Sequence, residues 1–252
     1  MGNSSVSELK NKLEKVYQIV SNELSGIGFD KTPQHLIIVA LCCRILELIH
    51  AFLLLMENNG SMAALPGIVR SLLEAYADLI NLKNDERYLA QMELAFHLTR
   101  KKIAQFSAGG STGNPYLVSV SDEVDLEKCI KEIEGQISNC KEEGAMAHFT
   151  IEQKFRKAGL IDEYQSIYVL LCDHAHNNIR QLERRHIEIF GNRLTIHLLS
   201  ETKPEELYGL VDVVGACLVG ALHHVCEMRG AEVPRSADEA LAELRKLYSP
   251  SA

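Results

Sequence analysis

Tyr164, Tyr168, Cys172 and His176 follow one another at four-residue steps in the segment Tyr164–His186 of this 252-residue chain. On a helix that spacing puts all four side chains on one face. A second stripe, Asp173, Asn177, Arg180 and Arg184, runs beside them, and far upstream Arg70, Glu74 and Asp78 repeat the same step. An arginine oriented by a glutamate one turn away presents a fixed cation to a phosphate or carboxylate, while a histidine gains or loses a proton near neutral pH. Together such groups suit an anionic ligand, or phosphodiester cleavage without a metal, and Tyr168 would donate a hydrogen bond or stack on a base. The same residues also have a plainer reading. Tyr168 and His176 would be packed in a core with their hydrogen bonds satisfied, and the second stripe and the Arg70–Glu74 pair would be solvated faces.

Other chemistries fit less well. Glu47-x-x-His50 and Glu183-x-x-His186, with Glu74, approach the ligand set of a di-iron bundle, but Arg180, Arg184 and Arg185 make the second pair a cationic place for a metal. A metal-binding bundle is therefore a lesser alternative, and no cofactor is expected. Cys172 has His176 one turn away, yet an apolar position in mid-helix raises a thiol's pKa and hides it from substrate. Gly109-Gly110-x-x-Gly113 lacks the Lys-Ser/Thr ending of a phosphate loop.

The elements that must position these residues are helical. Hydrophobic residues make up 46% and charged residues 24%, an ordinary globular composition for a chain long enough to bury a core without staples. Seven cysteines without a Cys-x-x-Cys pair fit a reducing cytoplasm. A net charge of -8 disfavours loose attraction to nucleic acid or anionic membrane, and the N-terminus reads as a polar lead-in rather than a signal peptide. Leu9, Leu13, Val16 and Val20 mark a first helix. The apolar segment Gln34 to Asn58 carries Arg44, Glu47 and His50, which would be expensive in lipid, so it reads as a central bundle helix buried nearly all round. A third helix runs from Ser61 to Leu82. A fourth ends near Phe106 and turns Leu89, Met92, Phe96 and Ile103 inward. After a Gly/Ser-rich loop and a charged helix, Tyr164–His186 belongs to one helix from about Asp162 to Arg185. Two alternating runs around Gly191-Asn192 read as a hairpin near 187–198 that must pack on the helices. Leu207, Leu210, Val211, Val214, Leu218, Leu222 and Val225 line a long helix from Pro204, and Ser236 caps a short last one.

The segment Tyr168-Val-Leu-Leu-Cys172-Asp-His-Ala-His176-Asn177, with Arg70-Ser-Leu-Leu-Glu74 upstream, resembles the paired signature of a largely helical bacterial family, the domain of unknown function numbered 5677. In that family an Arg-x-x-x-Glu helix precedes a Tyr-x-x-Leu-Ser-x-x-x-His helix. Cys172 takes the serine's place with a weaker donor and acceptor. The resemblance covers about residues 35–185. It brings no established reaction, and it implies that Arg70, Glu74, Tyr168 and His176 meet in space. Arg180 to His186 is similar, more loosely, to the Arg-x(4–6)-His pattern of the HEPN-like helical superfamily, whose toxin and antiphage members cut RNA. Arg180, Arg184 and Arg185 would hold phosphates in that case, or else complement a helix dipole.

The reading is a mainly α multi-helix bundle with one small β-hairpin, as a single domain over 1–252. Its core is expected at 7–106 and 160–230, with an excursion over 107–158. The function expected is that of a cytoplasmic helical protein with a polar cleft. The candidate catalytic residues are His176, Arg70, Glu74 and Tyr168, and the ligand contacts are Arg180, Asn177, Asp173 and Arg184. The partner would be a phosphate-bearing small molecule or RNA and not a membrane, with metal-independent RNA cleavage in a defence or toxin role as its strongest form. A homo-oligomer is expected from the leucine-rich C-terminal helices. The alternative is a non-catalytic helical protein-interaction module.

Overall fold

The computed structural model describes residues 5–58, 61–108, 125–175, 178–191, 193–199 and 202–248. They fall into two compact units, one from residues 1–83 with 154–252 and one from 84–153. The architecture is mainly α with one two-stranded hairpin.

In the first unit α1 (Val6–Gly26) opens at Ser5, whose side chain accepts the Glu8 amide, and it buries Leu9, Leu13, Val16, Val20 and Leu24. That stripe faces α10 (Pro204–Arg229) and α11 (Arg235–Arg245). Every apolar position read along α10 is buried, each contributing about 1.5–3 kcal/mol. The leucines from which self-association was expected are thus buried within this chain. Gly230 ends α10 in the left-handed conformation (φ 62°), which lacks a steric cost only for glycine.

Helix α2 (Pro33–Leu55) starts on a Thr32 cap and buries Ile38, Cys42, Ile45, Ile49 and Phe52. It is not covered all round, as its composition suggested. Arg44 and Glu47 pair at 3.6 Å on an open side that also exposes Leu36 and Leu54. By length and composition α2 and α10 could each cross a membrane, and more than half of the apolar window in α10, but less than half in α2, is buried inside the chain. Helix α3 (Leu65–Asn84) follows a single turn of tighter helix, with Pro66 in its first turn where its missing amide is harmless.

Gly220 of α10 lies against Tyr76 of α3, and the Tyr76 ring sits 5.8 Å from that of His224. Burial pushes the His224 imidazole below its ordinary value of 6.5, and Lys83 acts in the same direction. Below that value the unfolded chain holds more protons, so stability is expected to fall as pH drops from about 7 to about 5. His224→Gln should flatten the fall in urea midpoint over that range. Equal slopes in both proteins would remove His224 as the cause.

In the second unit α4 (Tyr88–Ala108) packs on α5 (Leu126–Glu142) through Leu94, Ile133, Ile137 and Cys140. This unit takes in α4 as well as the segment expected to leave the core after residue 106. Of the α4 positions expected to face inward, Leu89 and Met92 are half-buried. Phe96 and Ile103 are exposed, while Ala90, Leu94, Ala104 and Ser107 are buried. Three of these four buried residues are small, and a reading weighted by side-chain size assigns them to the outside.

The hairpin joins β1 (Ile187–Phe190) and β2 (Arg193–Ile196) in the register Ile187–Ile196, Glu188–Thr195, Ile189–Leu194 and Phe190–Arg193. Gly191 takes the turn at φ 59°. The strands are not packed beneath helices, as expected of them; all eight residues are exposed.

Candidate functional site

The site is built from two places 94 to 98 residues apart in sequence. Arg70 and Glu74 share one face of α3, the guanidinium Nε donating to Glu74 Oε1 at 3.2 Å. The same Nε lies 3.1 Å from the Tyr168 hydroxyl, which donates to Glu74 Oε1 at 2.7 Å. Three polar groups close a ring of contacts on one carboxylate oxygen. Each contact involving a charged partner is worth about 1.5–3 kcal/mol when desolvated, but Arg70 and Glu74 both keep 29% of their side-chain surface exposed, which weakens the pair.

A change of helix type delivers Tyr168. Short helices α6 (Ile151–Lys157) and α7 (Ile161–Glu163) lead into a π-helical turn, Tyr164–Tyr168, where the Val169 amide reaches back to the Tyr164 carbonyl. Ser166 Oγ donates to the Asp162 carbonyl at 2.6 Å, so a hydroxyl competes for the acceptor an ordinary α turn would give to an amide. The turn stacks Tyr164 on Tyr168 at 5.4 Å and sets both on Phe155, whose centroid is 4.8 Å from that of Tyr168. The Arg70 guanidinium lies 5.5 Å from the Tyr168 ring centre. Tyr168 is 3% exposed and its ring is covered. Base stacking on Tyr168, one expected role, is therefore closed to it. Burial, then Glu74, pushes its hydroxyl's pKa up, so it stays a neutral donor. The hydroxyl bond, more than any other contact, raises the pKa of Arg70, a group already charged at any working pH.

One turn along α3, Asp78 takes Lys154 at 2.8 Å, and buried Asn81 donates to the Lys154 carbonyl at 3.0 Å. Neither Lys154 nor Phe155 was foreseen. Asp78 at the four-residue step after Glu74 was the only hint of the first, and an aromatic in a charged stretch the only hint of the second.

The expected single helix over Tyr164–His186 is two helices. Helix α8 (Val169–Ala175) ends before α9 (Ile179–His186), which Asn178 caps by accepting the Arg180 amide at 3.0 Å. A residue favoured at a helix start outweighed the continuous polar periodicity. His176 and Asn177 lie outside the described residues, as does the side chain of Arg184. Asp173 is exposed on α8. Arg180 is 86% exposed and pairs with Glu183 at 3.3 Å, whereas His186 Nδ1 donates to the His197 carbonyl at 2.8 Å. The two ends of the loose Arg-to-His pattern thus serve different partners. In their place Arg185 donates to His174 Nδ1 at 2.9 Å, tying α9 back to α8. Burial lowers the Arg185 pKa, and Glu206 opposes that shift. His174 is therefore part of the local polar network.

Among the described residues no three His, Cys, Asp or Glu side chains gather as a metal site. Of the two Glu-x-x-His pairs weighed as a lesser, metal-binding alternative, Glu47 pairs with Arg44 and Glu183 with Arg180. Cys172 is a free, half-buried thiol.

A model of a family of unknown function (DUF5677) matches residues 35–193, the span that carries the whole Arg70–Glu74–Tyr168 cluster. No curated protein and no solved structure matches the chain.

Proposed function

The chain belongs to the family of unknown function DUF5677, a membership that brings no reaction with it, and from the cluster inside the matched span we propose a binding site for a phosphate-bearing ligand. The observation that carries this reading is an Arg70 side chain that keeps 29% of its surface exposed and whose direction is fixed by contacts to Glu74 and Tyr168. Arg70 supplies the charge and a planar fork that matches phosphate oxygens. Tyr168, with its ring covered, is a positioning residue. Glu74 orients Arg70 and also repels an incoming anion, so the site favours a ligand with further contacts, for which Asp173, Asn177, Arg180 and Arg184 are the candidates. RNA offers repeated phosphates and is the first ligand class to test. Metal-independent cleavage is the stronger form of the proposal, with His176 as the proton-transfer group.

Fluorescence polarisation with a labelled mixed-sequence RNA tests binding. Arg70→Gln is expected to weaken it at least tenfold, or about 1.4 kcal/mol, and inorganic phosphate should compete. Unchanged affinity in Arg70→Gln sinks the site. Incubating the RNA with protein and chelator tests cleavage, which His176→Ala should abolish; intact RNA with the wild type leaves binding alone. A second reading, a protein-interaction role, is favoured by the hairpin, whose eight residues are all exposed.

A further inference from the structure

Helix α9 has no apolar anchor. Its two apolar side chains, Ile179 and Leu182, are 68% and 42% exposed, and its eight residues fall short of the roughly 12–15 at which an isolated helix becomes even marginal in water. A polar contact ties it back to α8. Arg185 donates to His174 Nδ1 at 2.9 Å across the break after Ala175, and both side chains are half-buried. Arginine offers donors alone, so the contact requires a lone pair on Nδ1 and a neutral imidazole. We propose that His174 and Arg185 form a proton-operated latch, closed on α9 while His174 is neutral and opened when His174 takes up a proton within the range, roughly pH 5 to 8, where imidazoles titrate.

The partner sets His174 apart from the histidines around it. His186 Nδ1 faces the His197 carbonyl at 2.8 Å, His197 Nε2 faces Glu188 at 3.2 Å, and His223 Nε2 faces Asp238 at 3.1 Å. Each of those partners is an acceptor, so a proton on the ring keeps or strengthens the contact. On His174 the same proton removes the acceptor and sets two cations 2.9 Å apart, where partial burial limits screening by solvent. Among the described residues the other charged groups around the pair are Asp173, exposed beside His174 on α8, and Glu206, which acts on Arg185 from the first turn of α10. On α9 itself Glu183 is engaged with Arg180. None of these carboxylates restores a lone pair to Nδ1. Helix α9 also carries Arg180, a candidate ligand contact, so an open latch loosens whatever hold α9 adds to a ligand at Arg70. That consequence rests on the phosphate-binding reading; the latch does not.

Hydrogen–deuterium exchange of the full chain, read by mass spectrometry at about pH 7.5 and about pH 5.5 and corrected for the pH dependence of chemical exchange, tests the latch without any ligand. Protection of the α9 amides is expected to fall about tenfold more than that of the α10 amides, which report the opening of the whole fold, its His224 dependence included. His174→Asn puts an amide oxygen where Nδ1 stood, an acceptor that takes up no proton, and should remove this excess fall. Arg185→Gln, which takes away the cation, should remove it as well. A wild-type α9 that loses no more protection than α10 overturns the proposal, and so does an excess fall that persists in both variants.

Discussion

Phe155→Ala is expected to lower the unfolding free energy by roughly 3–5 kcal/mol, and for a chain of this size that is a fall in Tm of roughly 10 °C. Phe155 is fully buried and lies against both Tyr164 and Tyr168. Truncation removes the burial of a whole ring and opens a void under the π turn that two stacked tyrosines cannot fill without breaking their own contact. The loss should reach the candidate site as well, because the Tyr168 hydroxyl holds its place beside Arg70 and Glu74 only while its ring is supported. Differential scanning calorimetry checks the stability. The near-ultraviolet dichroism of the tyrosines checks the coupling, and it should weaken in parallel. Phe155→Leu refills most of the volume and should cost less than half as much. An alanine variant that melts within a degree or two of the wild type would show that the aromatic group does not hold this part of the chain together.

Gly220→Val is expected to cost about 3 kcal/mol, at the upper end of what overpacking a helix contact does. A Cβ on Gly220 would stand 2.2 Å from the Tyr76 hydroxyl and 2.9 Å from its ring carbon Cζ, so α3 and α10 must separate or the tyrosine must leave its place beside His224. Replacing glycine inside a helix ordinarily gains up to about 1 kcal/mol, which is too little to offset the clash. Gly215 makes an instructive control. Its new Cβ would press on Leu241 Cδ1 at 2.7 Å, the far end of a flexible side chain, and would touch Leu244 Cδ2 and Leu13 Cδ1 only at ordinary contact distances of 3.4 and 4.0 Å. Gly215→Ala should therefore come out near neutral. Tyr76→Phe removes the nearer of the two clashing atoms and should recover part of the loss at Gly220, a coupling that a double-mutant cycle measures. Additive effects would mean that the two helices do not meet through this pair.

Much of the helical framework was legible because it rests on periodicity. The stripe Leu9, Leu13, Val16, Val20 and the apolar positions of α10 are buried as their spacing implied. The hairpin was legible from Gly191-Asn192 between alternating runs, since so few backbone conformations close a tight turn. Arg70, Glu74 and Tyr168 were legible as a group only through the family resemblance. Nothing local relates an α3 residue to one almost a hundred positions later. The π turn left no periodic trace, as it changes one turn only. The break before Ile179 did leave one, the Asn177-Asn178 pair, but the polar stripe continuing to Arg184 masked it. Lys154 and Phe155 were illegible because their partners come from other helices. The exposure of the hairpin and of Phe96 was illegible for the opposite reason: a single sequence reports which residues prefer burial, not whether a partner exists to bury them.

A turn closed five residues back carries one residue more than an α turn. In evolutionary terms, a turn such as Tyr164–Tyr168 is a place where a single-residue insertion would be absorbed. A related chain one residue shorter at this point would close an ordinary turn and still bring its tyrosine to the arginine. The same deletion between Arg70 and Glu74 would swing one side chain about 100° around α3 and separate the pair. Alignments of chains with this signature should therefore tolerate gaps just before the tyrosine and none between the arginine and the glutamate.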